Sequence, residues 1–204
     1  MDMEQLWEAV HPGDIILAPR PTDLAVARLA MELGAHLAVG WHASAGLRAA
    51  VADAADRGLC VLAEAGMVPG IEHLMARDLV NDYSHDVQPG DMLHFTAYGG
   101  GVPKYPDNFR HKFNTSPLPL LNALATPTSW ISEGQTQHAD FPFDVIRDYD
   151  LNLPTPERHQ VYPHYDAAPY LPAYGFAPDW QVETAQRGAI RLKGWRDGWA
   201  GIFD

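Results

Sequence analysis

Apolar residues in the first third of the chain come in short runs that alternate with amphipathic stretches. The runs DIILAP (14–19), HLAVGW (36–41) and LCVLA (59–63) are typical of strands buried on both faces. Residues 22–34 have the apolar spacing of a helix that ends at Gly34, and a second helix is predicted over 44–57. Strands and helices alternating at these lengths predict parallel βαβ units with right-handed crossovers.

A further amphipathic segment follows Pro69 and Gly70, which favour the start of a helix. Its apolar positions have helical spacing and predict a packed face made of Ile71, Leu74, Met75 and Leu79. We expect this helix to bridge two lobes, residues 1–68 and residues 69–204.

The chain beyond residue 90 is rich in proline, with 12 of its 17 prolines between positions 103 and 178. Because proline removes a backbone donor from a sheet, this composition favours long loops and short edge strands. Strands are predicted over 91–98, 128–134 and 179–192, the last bulged or turned at Gly188. A closing helix is predicted to pack through Trp195, Trp199, Ile202 and Phe203.

Composition narrows the possible partners and compartments. The 204 residues include 26 acidic and 14 basic side chains, and a formal net charge of −12 argues against a nucleic-acid partner. The only cysteine, Cys60, lies in an apolar run and is predicted to be buried. One cysteine permits no internal disulfide, which favours a cytoplasmic location. No signal peptide or membrane-spanning run is visible, so no membrane partner is expected.

Three motifs occur in order along the chain. They are EAGMVPGIEHLMARDLV (64–80), YGGGVPKYPDNFRHKFNTSP (98–117) and YPHYDAAPYLPAYGF (162–176). The first resembles Glu-x-Gly-hydrophobe-Asp-Pro-Gly-Ile-Asp-His-Leu, and the second resembles a Tyr-Cys-Gly-Gly-Leu-Pro loop followed by Lys-Phe-Ser-Trp-Ser. The third resembles a segment that begins Tyr-Pro-Asn-Arg-Asp-Ser. These are motifs of the saccharopine dehydrogenase (saccharopine reductase) family, which the chain resembles over most of its length.

The resemblance implies a fold, an activity and a cofactor. The expected fold is α/β: the rear half of a Rossmann-like parallel sheet followed by an α+β substrate-binding and dimerisation domain. Family members are NAD(P)-dependent oxidoreductases of lysine metabolism that form or break a secondary amine joining lysine-derived and glutamate moieties. The chain contains no GxGxxG turn, which a dinucleotide site needs for its pyrophosphate. NAD(P) binding by this chain alone is therefore expected to be weak or absent.

The resemblance also implies functional residues. Catalytic roles fall on His73, Lys112 and Asp166. Substrate contacts fall on Glu64, Tyr98, Gly99, Gly100, Phe113, Ser116 and Tyr165. Cofactor contacts fall on Pro19, Trp41 and Gly66. No metal site is predicted, because the ten histidines lack a compact ligand spacing.

Several of these positions also have structural interpretations. His73 orienting its helix by a hydrogen bond is preferred over catalysis, and Glu64 and Asp166 are equally suited to accept backbone hydrogens near turns. Gly99 stands where the family has cysteine, and Tyr165 stands where it has the arginine that clamps a substrate carboxylate. A phenol cannot replace that bidentate contact, so saccharopine itself is not the expected substrate.

Three functional hypotheses remain open. The first is a saccharopine-dehydrogenase-like oxidoreductase that acts on a CH–NH bond of a small amino-acid-derived substrate and forms a homodimer. The second is a catalytically inactive interaction subunit that pairs with a separate nucleotide-binding half. The third is a truncated homologue with no function of its own.

Overall fold

The computed structural model describes residues 3–18, 24–113, 116–152, 154 and 156–203. The chain divides into two compact units, Met1–Met75 and Ala76–Asp204. Each unit has its own sheet and its own hydrophobic core. No helix among the described residues is long and apolar enough to cross a membrane.

The first unit is built on a three-stranded parallel sheet with the order β1-β2-β3. Its elements in chain order are α1 (Met3–Ala9), β1 (Ile15–Ala18), α2 (Ala25–Leu33), β2 (His36–Val39), α3 (Ala45–Ala50) and β3 (Val61–Leu62). The predicted alternation of strands and helices is confirmed. The second helix is shorter than predicted and ends at Ala50, because residues 51–58 form successive turns up to Gly58, whose φ is 69°.

The described residues cover one face of this parallel sheet. Ile16 and Leu37 point into a core that they share with residues of α2 and α3, whereas Ile15, Leu17 and Leu62 are 66%, 71% and 56% exposed. The prediction of strands buried on both faces is therefore wrong. The reason is topological, since successive right-handed crossovers along one strand order place both helices on the same side of a sheet.

Cys60 is exposed, which corrects its predicted burial. It lies just outside the two-residue strand β3, where its backbone N–H donates to Nδ1 of His36 at 2.9 Å and its carbonyl oxygen accepts from Leu37. The apolar run around Cys60 indicated a strand correctly. The strand is too short to carry this residue into the core.

The helix after Gly70 is α4 (Ile71–Tyr83), and the face it buries differs from the predicted one. Ala76 and Val80 are its buried side chains. The predicted stripe is exposed, at 49%, 69%, 67% and 48% for Ile71, Leu74, Met75 and Leu79. The spacing of apolar residues identified the helix but not which of its faces packs against the rest of the protein. The small side chain of Ala76 allows close packing on the face that is buried.

The second unit is built on a six-stranded sheet. Its elements in chain order are β4 (Met92–Gly99), α5 (Leu118–Leu124), β5 (Thr128–Ser132), β6 (Gln135–Ala139), a 3₁₀ turn (Pro142–Val145), β7 (Arg147–Tyr149), β8 (His159–Tyr165), a 3₁₀ turn (Ala168–Tyr170), α6 (Leu171–Tyr174), β9 (Gln181–Leu192) and α7 (Trp195–Phe203). The strand order is β6-β5-β9-β8-β7, and β4 lies along β9. The expected α/β architecture, a parallel sheet followed by an α+β unit, is confirmed.

The twelve-residue strand β9 is the centre of this sheet. It pairs with β4 in parallel and with β8 and β5 in antiparallel fashion. Some β9 residues pair with β4 and also with β5 or β8, so β4 lies on one side of β9 while β5 and β8 lie on the other. The chain does not turn at Gly188, which pairs with both Tyr98 and Pro163, but the β8–β9 register shifts beside it, between Pro163 and Tyr165, so the irregularity predicted here lies on the β8 side of the pair. A Cβ at Gly188 would overlap the carbonyl oxygen of Tyr162, so glycine permits a close approach of strands.

The predicted strand 128–134 is a hairpin instead. Residues Glu133 and Gly134 have φ of 54° and 68°, the backbone signs of a type I′ turn, and the chain returns as β6. The closing helix α7 packs as predicted through Trp195 and Trp199, which are 0% and 2% exposed, whereas Ile202 is 55% exposed. The Trp195 ring stacks between those of Tyr162 and Trp199, with centroids 5.7 and 5.0 Å away.

Candidate functional site

In the first unit, polar side chains gather where β2 and β3 end. Oε1 of Glu64 lies 3.3 Å from Nδ1 of His42, and its Oε2 lies 3.7 Å from Nε2 of His73. The same His73 nitrogen lies 3.7 Å from Oε1 of Glu72. The carboxyl ends of parallel strands are the usual place for ligands in open α/β sheets. The 3.3 Å pair is within hydrogen-bond distance, whereas the two 3.7 Å pairs are close ionic contacts without a direct hydrogen bond.

The backbone of Glu64 has an uncommon conformation for a residue with a side chain. Its φ is 60°, a left-handed value that costs about 1–2 kcal/mol outside glycine. Two backbone hydrogen bonds hold it there: Glu64 donates to the Trp41 carbonyl at 3.1 Å, and Ala65 donates to that of Val39 at 2.9 Å. This conformation places the Glu64 carboxylate beside His42 and His73.

The residues predicted to contact a dinucleotide have roles inside the protein. Trp41 is partly buried against the first core, and its carbonyl oxygen accepts from Glu64. A Cβ at Gly66 would lie 2.6 Å from the Gly40 carbonyl oxygen, so this glycine serves backbone packing. Pro19 lies outside the described residues. Weak or absent NAD(P) binding by this chain stays a prediction.

In the second unit, one face of the sheet carries a connected polar network across β4, β9 and β7. The Tyr98 hydroxyl donates to Oε1 of Gln186 at 3.0 Å. Nη2 of Arg147 donates to the Tyr98 hydroxyl at 2.9 Å and to the same Gln186 oxygen at 3.2 Å. The Tyr149 ring meets that of Tyr98 edge-on at 5.1 Å and lies 5.5 Å from the Arg147 guanidinium carbon. We call Tyr98, Arg147, Gln186 and Tyr149 the tyrosine–arginine network.

Burial keeps the Tyr98 hydroxyl neutral. Burial raises the pKa of Tyr98 to about 12, although the positive charge of Arg147 acts in the opposite direction. The hydroxyl therefore stays protonated at neutral pH and remains a hydrogen-bond donor. Arg147 is exposed, so part of its guanidinium is open to solvent.

The other predicted substrate residues have varied surroundings. A Cβ at Gly100 would overlap the Ile190 carbonyl oxygen, while Gly99 ends β4 opposite Ala189. Phe113 is 48% exposed and meets the rings of His111 and Trp199 at 4.8 and 5.8 Å. Ser116 accepts a backbone hydrogen from Leu118. The backbone of Tyr165 ends β8, and its side chain lies outside the described part of the structure.

The predicted catalytic residues stay predictions. Lys112 is exposed in the segment that joins β4 to α5. Asp166 accepts a hydrogen bond from the backbone N–H of Ala168 at 3.1 Å, which is the structural role weighed for it. His73 lies between two carboxylates. Among the described residues, no group of three or more His, Cys, Asp or Glu side chains is placed to hold a metal ion.

Sequence reasoning missed Arg147, Gln186 and His42. Arg147 and Gln186 belong to no quoted motif, and only the strand order brings them to Tyr98, which is 49 and 88 positions away along the chain. His42 follows a predicted strand directly, and this position at a strand end was a usable signal.

Comparison with known proteins gives consistent results. The sequence model described as the saccharopine dehydrogenase C-terminal domain matches residues 66–203. The chain is 28% identical over 201 residues to alpha-aminoadipic semialdehyde synthase of Arabidopsis thaliana, covering 95% of this chain and 18% of that protein. It is 25% identical over 189 residues to the NADP(+)-dependent, L-glutamate-forming saccharopine dehydrogenase of Pyricularia oryzae, covering 91% and 41%.

A solved structure shows the same fold. The apo histidine-tagged saccharopine dehydrogenase (L-Glu forming) from Saccharomyces cerevisiae superposes with a TM-score of 0.76 at 22% identity, over 96% of this chain and 44% of that one. The chain therefore spans less than half the length of each of these relatives.

Proposed function

The chain belongs to the saccharopine dehydrogenase C-terminal domain family, and we propose that it binds the substrate of an NAD(P)-dependent oxidoreductase acting on a CH–NH bond. The substrate class is a small amino-acid-derived secondary amine or imine that carries carboxylates. Two relatives named as NADP(+)-dependent, L-glutamate-forming saccharopine dehydrogenases support this assignment. A cytoplasmic location and a homodimer remain part of the proposal.

The tyrosine–arginine network carries this proposal. Arg147 uses Nη2 for Tyr98 and Gln186, and its exposed guanidinium retains other N–H groups for a carboxylate. It lies on β7, the neighbour of the strand that ends at Tyr165, where the family has its clamping arginine. We propose that Arg147 supplies the bidentate contact that Tyr165 cannot make. Tyr98 orients the guanidinium by accepting one of its hydrogens.

Nucleotide binding needs residues beyond those described. Because Trp41 and Gly66 serve internal packing, we expect the purified chain to bind NADPH weakly or not at all. Calorimetric titration tests this expectation, and micromolar affinity would contradict it. If binding is weak, as expected, the groups that hold the dinucleotide belong to further sequence of a longer protein or to a separate nucleotide-binding half.

A second candidate is an interaction subunit without catalysis. The exposed face formed by Ile15, Leu17 and Leu62 favours it, since parallel sheets are normally covered on both sides. Both candidates therefore share a nucleotide-binding partner. They differ in whether the assembled complex turns over substrate.

The deciding experiment mixes the purified chain with the nucleotide-binding half of a relative and follows NADPH absorbance. Turnover with a carboxylate-bearing imine that falls at least about tenfold in Arg147→Gln supports the enzyme, since a charge-assisted contact contributes about 1.5–3 kcal/mol. Arg28→Gln is the matched control, because Arg28 is an exposed arginine of α2. A stable complex without turnover supports the interaction subunit. Turnover that is equal in both variants would contradict the role of Arg147.

Dimerisation is proposed through the second unit. An apolar groove of about 300 Å³ lies between α4 and β4 and is lined by Leu79, Tyr83, Leu93, Phe176 and Trp180, among others. Two-fold dimers are the commonest soluble assemblies, and a second copy would cover this apolar area. Sedimentation across a dilution series tests the proposal. We expect a dimer that Tyr83→Glu dissociates, and a monomer at every concentration would refute it.

A further inference from the structure

A second cleft in the C-terminal unit has a volume of about 830 Å³. Three segments that are distant in sequence form it: residues 102–110, 156–159 and 192–193. Its walls include apolar residues from all three segments, namely Val102, Pro103, Pro106, Pro156 and Leu192. A volume of this size suits a small organic molecule.

Positive charge is concentrated around this cleft. Its lining includes Lys104, Arg110, Arg158 and Lys193, which are four of the fourteen basic residues of the chain. Glu157 is its one acidic lining residue. Asp148 and Asp150 compensate two of these charges, so the positive charge open to a ligand is that of Lys104 and Arg110.

Two of the four cations are held in place by aspartates. Nζ of Lys193 lies 2.6 Å from Oδ2 of Asp148, and Nη1 of Arg158 lies 2.9 Å from Oδ2 of Asp150. The hydrogen bond from Lys193 holds the pKa of Asp148 below its ordinary value. Asp148 lies on β7 and Asp150 directly follows it, so both cations are held on the side of the cleft next to this strand.

The other two cations make no such ion pair. Nζ of Lys104 lies 5.5 Å from the centre of the Tyr105 ring, and a Cβ at Gly194 would lie 3.7 Å from Nε of Arg110. No ion pair with an acidic residue of the described chain involves Lys104 or Arg110. Their charges are therefore available to a bound anion.

The cleft and the tyrosine–arginine network have no lining residue in common, although Asp148, the ion-pair partner of Lys193, lies between Arg147 and Tyr149 on β7. It includes His159 at the first residue of β8, whereas the family's clamping position, Tyr165, is at the last. Six residues of extended strand span about 20 Å. No member of the network lines the cleft.

We propose that this cleft binds a small polyanion, a polycarboxylate or a phosphate ester, with Lys104 and Arg110 as its principal contacts. Arg158 and Lys193, paired with their aspartates, contribute their remaining N–H donors, and the apolar lining accepts the carbon frame of the ligand. Carboxylate and phosphate share the chemistry that guanidinium and ammonium recognise. This site does not depend on the proposed oxidoreductase activity.

The test uses the full chain carrying Arg147→Gln, so that the proposed substrate site does not contribute. Calorimetric titration with citrate and with pyrophosphate, at constant ionic strength, should give saturable one-site binding for at least one of them. Binding of citrate alone would indicate a carboxylate ligand, and binding of pyrophosphate alone would indicate a phosphate ligand. Binding of both would indicate a site that selects for negative charge. Absence of saturable binding for both would overturn the proposal.

Two pairs of variants locate the site. Lys104→Gln combined with Arg110→Gln should weaken binding at least about tenfold, because it removes two charge-assisted contacts. Arg28→Gln combined with Arg48→Gln removes the same charge from the first unit and should leave binding unchanged. Asp150→Asn should tighten binding by freeing Arg158, whereas Asp82→Asn on α4 should not. Equal loss in both double variants would show a general charge effect and refute the cleft.

Discussion

The two sheets of this protein differ in how completely they are covered. The three-stranded sheet of the first unit buries Ile16 and Leu37 on one face and exposes Leu17 and Leu62 on the other. The six-stranded sheet of the second unit packs aromatic clusters around Phe95 and Trp195. The strands of the first sheet are the more apolar of the two, so the apolar content of a strand does not by itself predict that both of its faces are buried.

The difference shows what each unit requires from its surroundings. The second unit finds within its own residues most of the apolar contacts that its sheet needs. The first unit has one good core and an apolar face open to water, a state that parallel sheets normally avoid. Function is expected to follow the same division, with small-molecule contacts and the dimer contact in the second unit and contacts to a nucleotide-binding half in the first.

The largest expected effect tests whether the second unit depends on close strand packing. Gly188→Ala would place a Cβ onto the Tyr162 carbonyl oxygen and should cost at least about 3 kcal/mol of unfolding free energy. Gly201→Ala in α7 is the control, since a Cβ there has no neighbour within 4 Å, and helix propensity should give a gain of up to about 1 kcal/mol. Urea unfolding followed by tryptophan fluorescence measures both. Equal stability of the two variants would mean that the strands are farther apart than described.

The next effect separates the two faces of the first sheet. Leu37→Ala, at a side chain 2% exposed, should cost about 2–5 kcal/mol, whereas Leu17→Ala, at 71% exposed, should change stability by less than about 0.5 kcal/mol. Circular dichroism melts of the purified chain measure the contrast. In the presence of the nucleotide-binding half, Leu17→Asp should abolish the complex. A large cost of Leu17→Ala in the chain alone would show that the outer face is already covered.

A smaller effect concerns the protonation of Tyr98. Its pKa is raised to about 12, so between about pH 10, where an unfolded tyrosine ionises, and pH 12 the unfolded state releases a proton that the folded state keeps. This contribution to stability is complete below pH 10 and is lost as pH rises through that window. The difference in absorbance at 295 nm between the parent and Tyr98→Phe should show no phenolate below about pH 11. A phenolate signal centred near pH 10 would contradict the burial of Tyr98.

The smallest effect concerns His111, whose pKa is lowered by burial and then by Arg191. In the unfolded state the His111 imidazole binds a proton with the ordinary pKa near 6.5, whereas in the folded state it binds the proton only at lower pH. Stability therefore falls as the pH drops below about 6.5. His111→Gln should flatten the decline in urea midpoint between pH 7.5 and pH 5. His138→Gln is the control, because His138 is exposed on β6. An unchanged slope in His111→Gln would show that other groups dominate acid sensitivity.

Local sequence predicted much of this fold. Hydrophobic spacing and the positions of glycine and proline, which are local features of the sequence, predict the strands at Ile16 and Leu37, the helix after Gly70 and the tryptophan face of α7. The errors arise where long-range packing decides. Ala76 rather than Leu74 faces inward on α4, and Cys60 lies outside a strand too short to bury it.

The candidate site was less predictable than the fold. Tyr98 was indicated by a motif, but Arg147 and Gln186 reach it only through the order β4-β9-β8-β7, which no local pattern reveals. Gly66 and Gly100 were interpreted as ligand contacts, and the structure shows backbone oxygens where their side chains would be. A glycine makes room either for a ligand or for another strand, and sequence alone does not distinguish the two.

The central position of β9 has a consequence for the order of events during synthesis. Its partners β4 and β8 are made first, yet they cannot join until residues 181–192 have left the ribosome, because β9 separates them. The β4 segment therefore waits for a partner nearly ninety residues downstream, while the βαβ unit ahead of it uses only local contacts. During that interval the nascent chain presents unpaired strand edges of the kind that chaperones recognise. A ribosome-stalled chain ending before Gln181 should thus be protease-sensitive beyond α4 and protected before it.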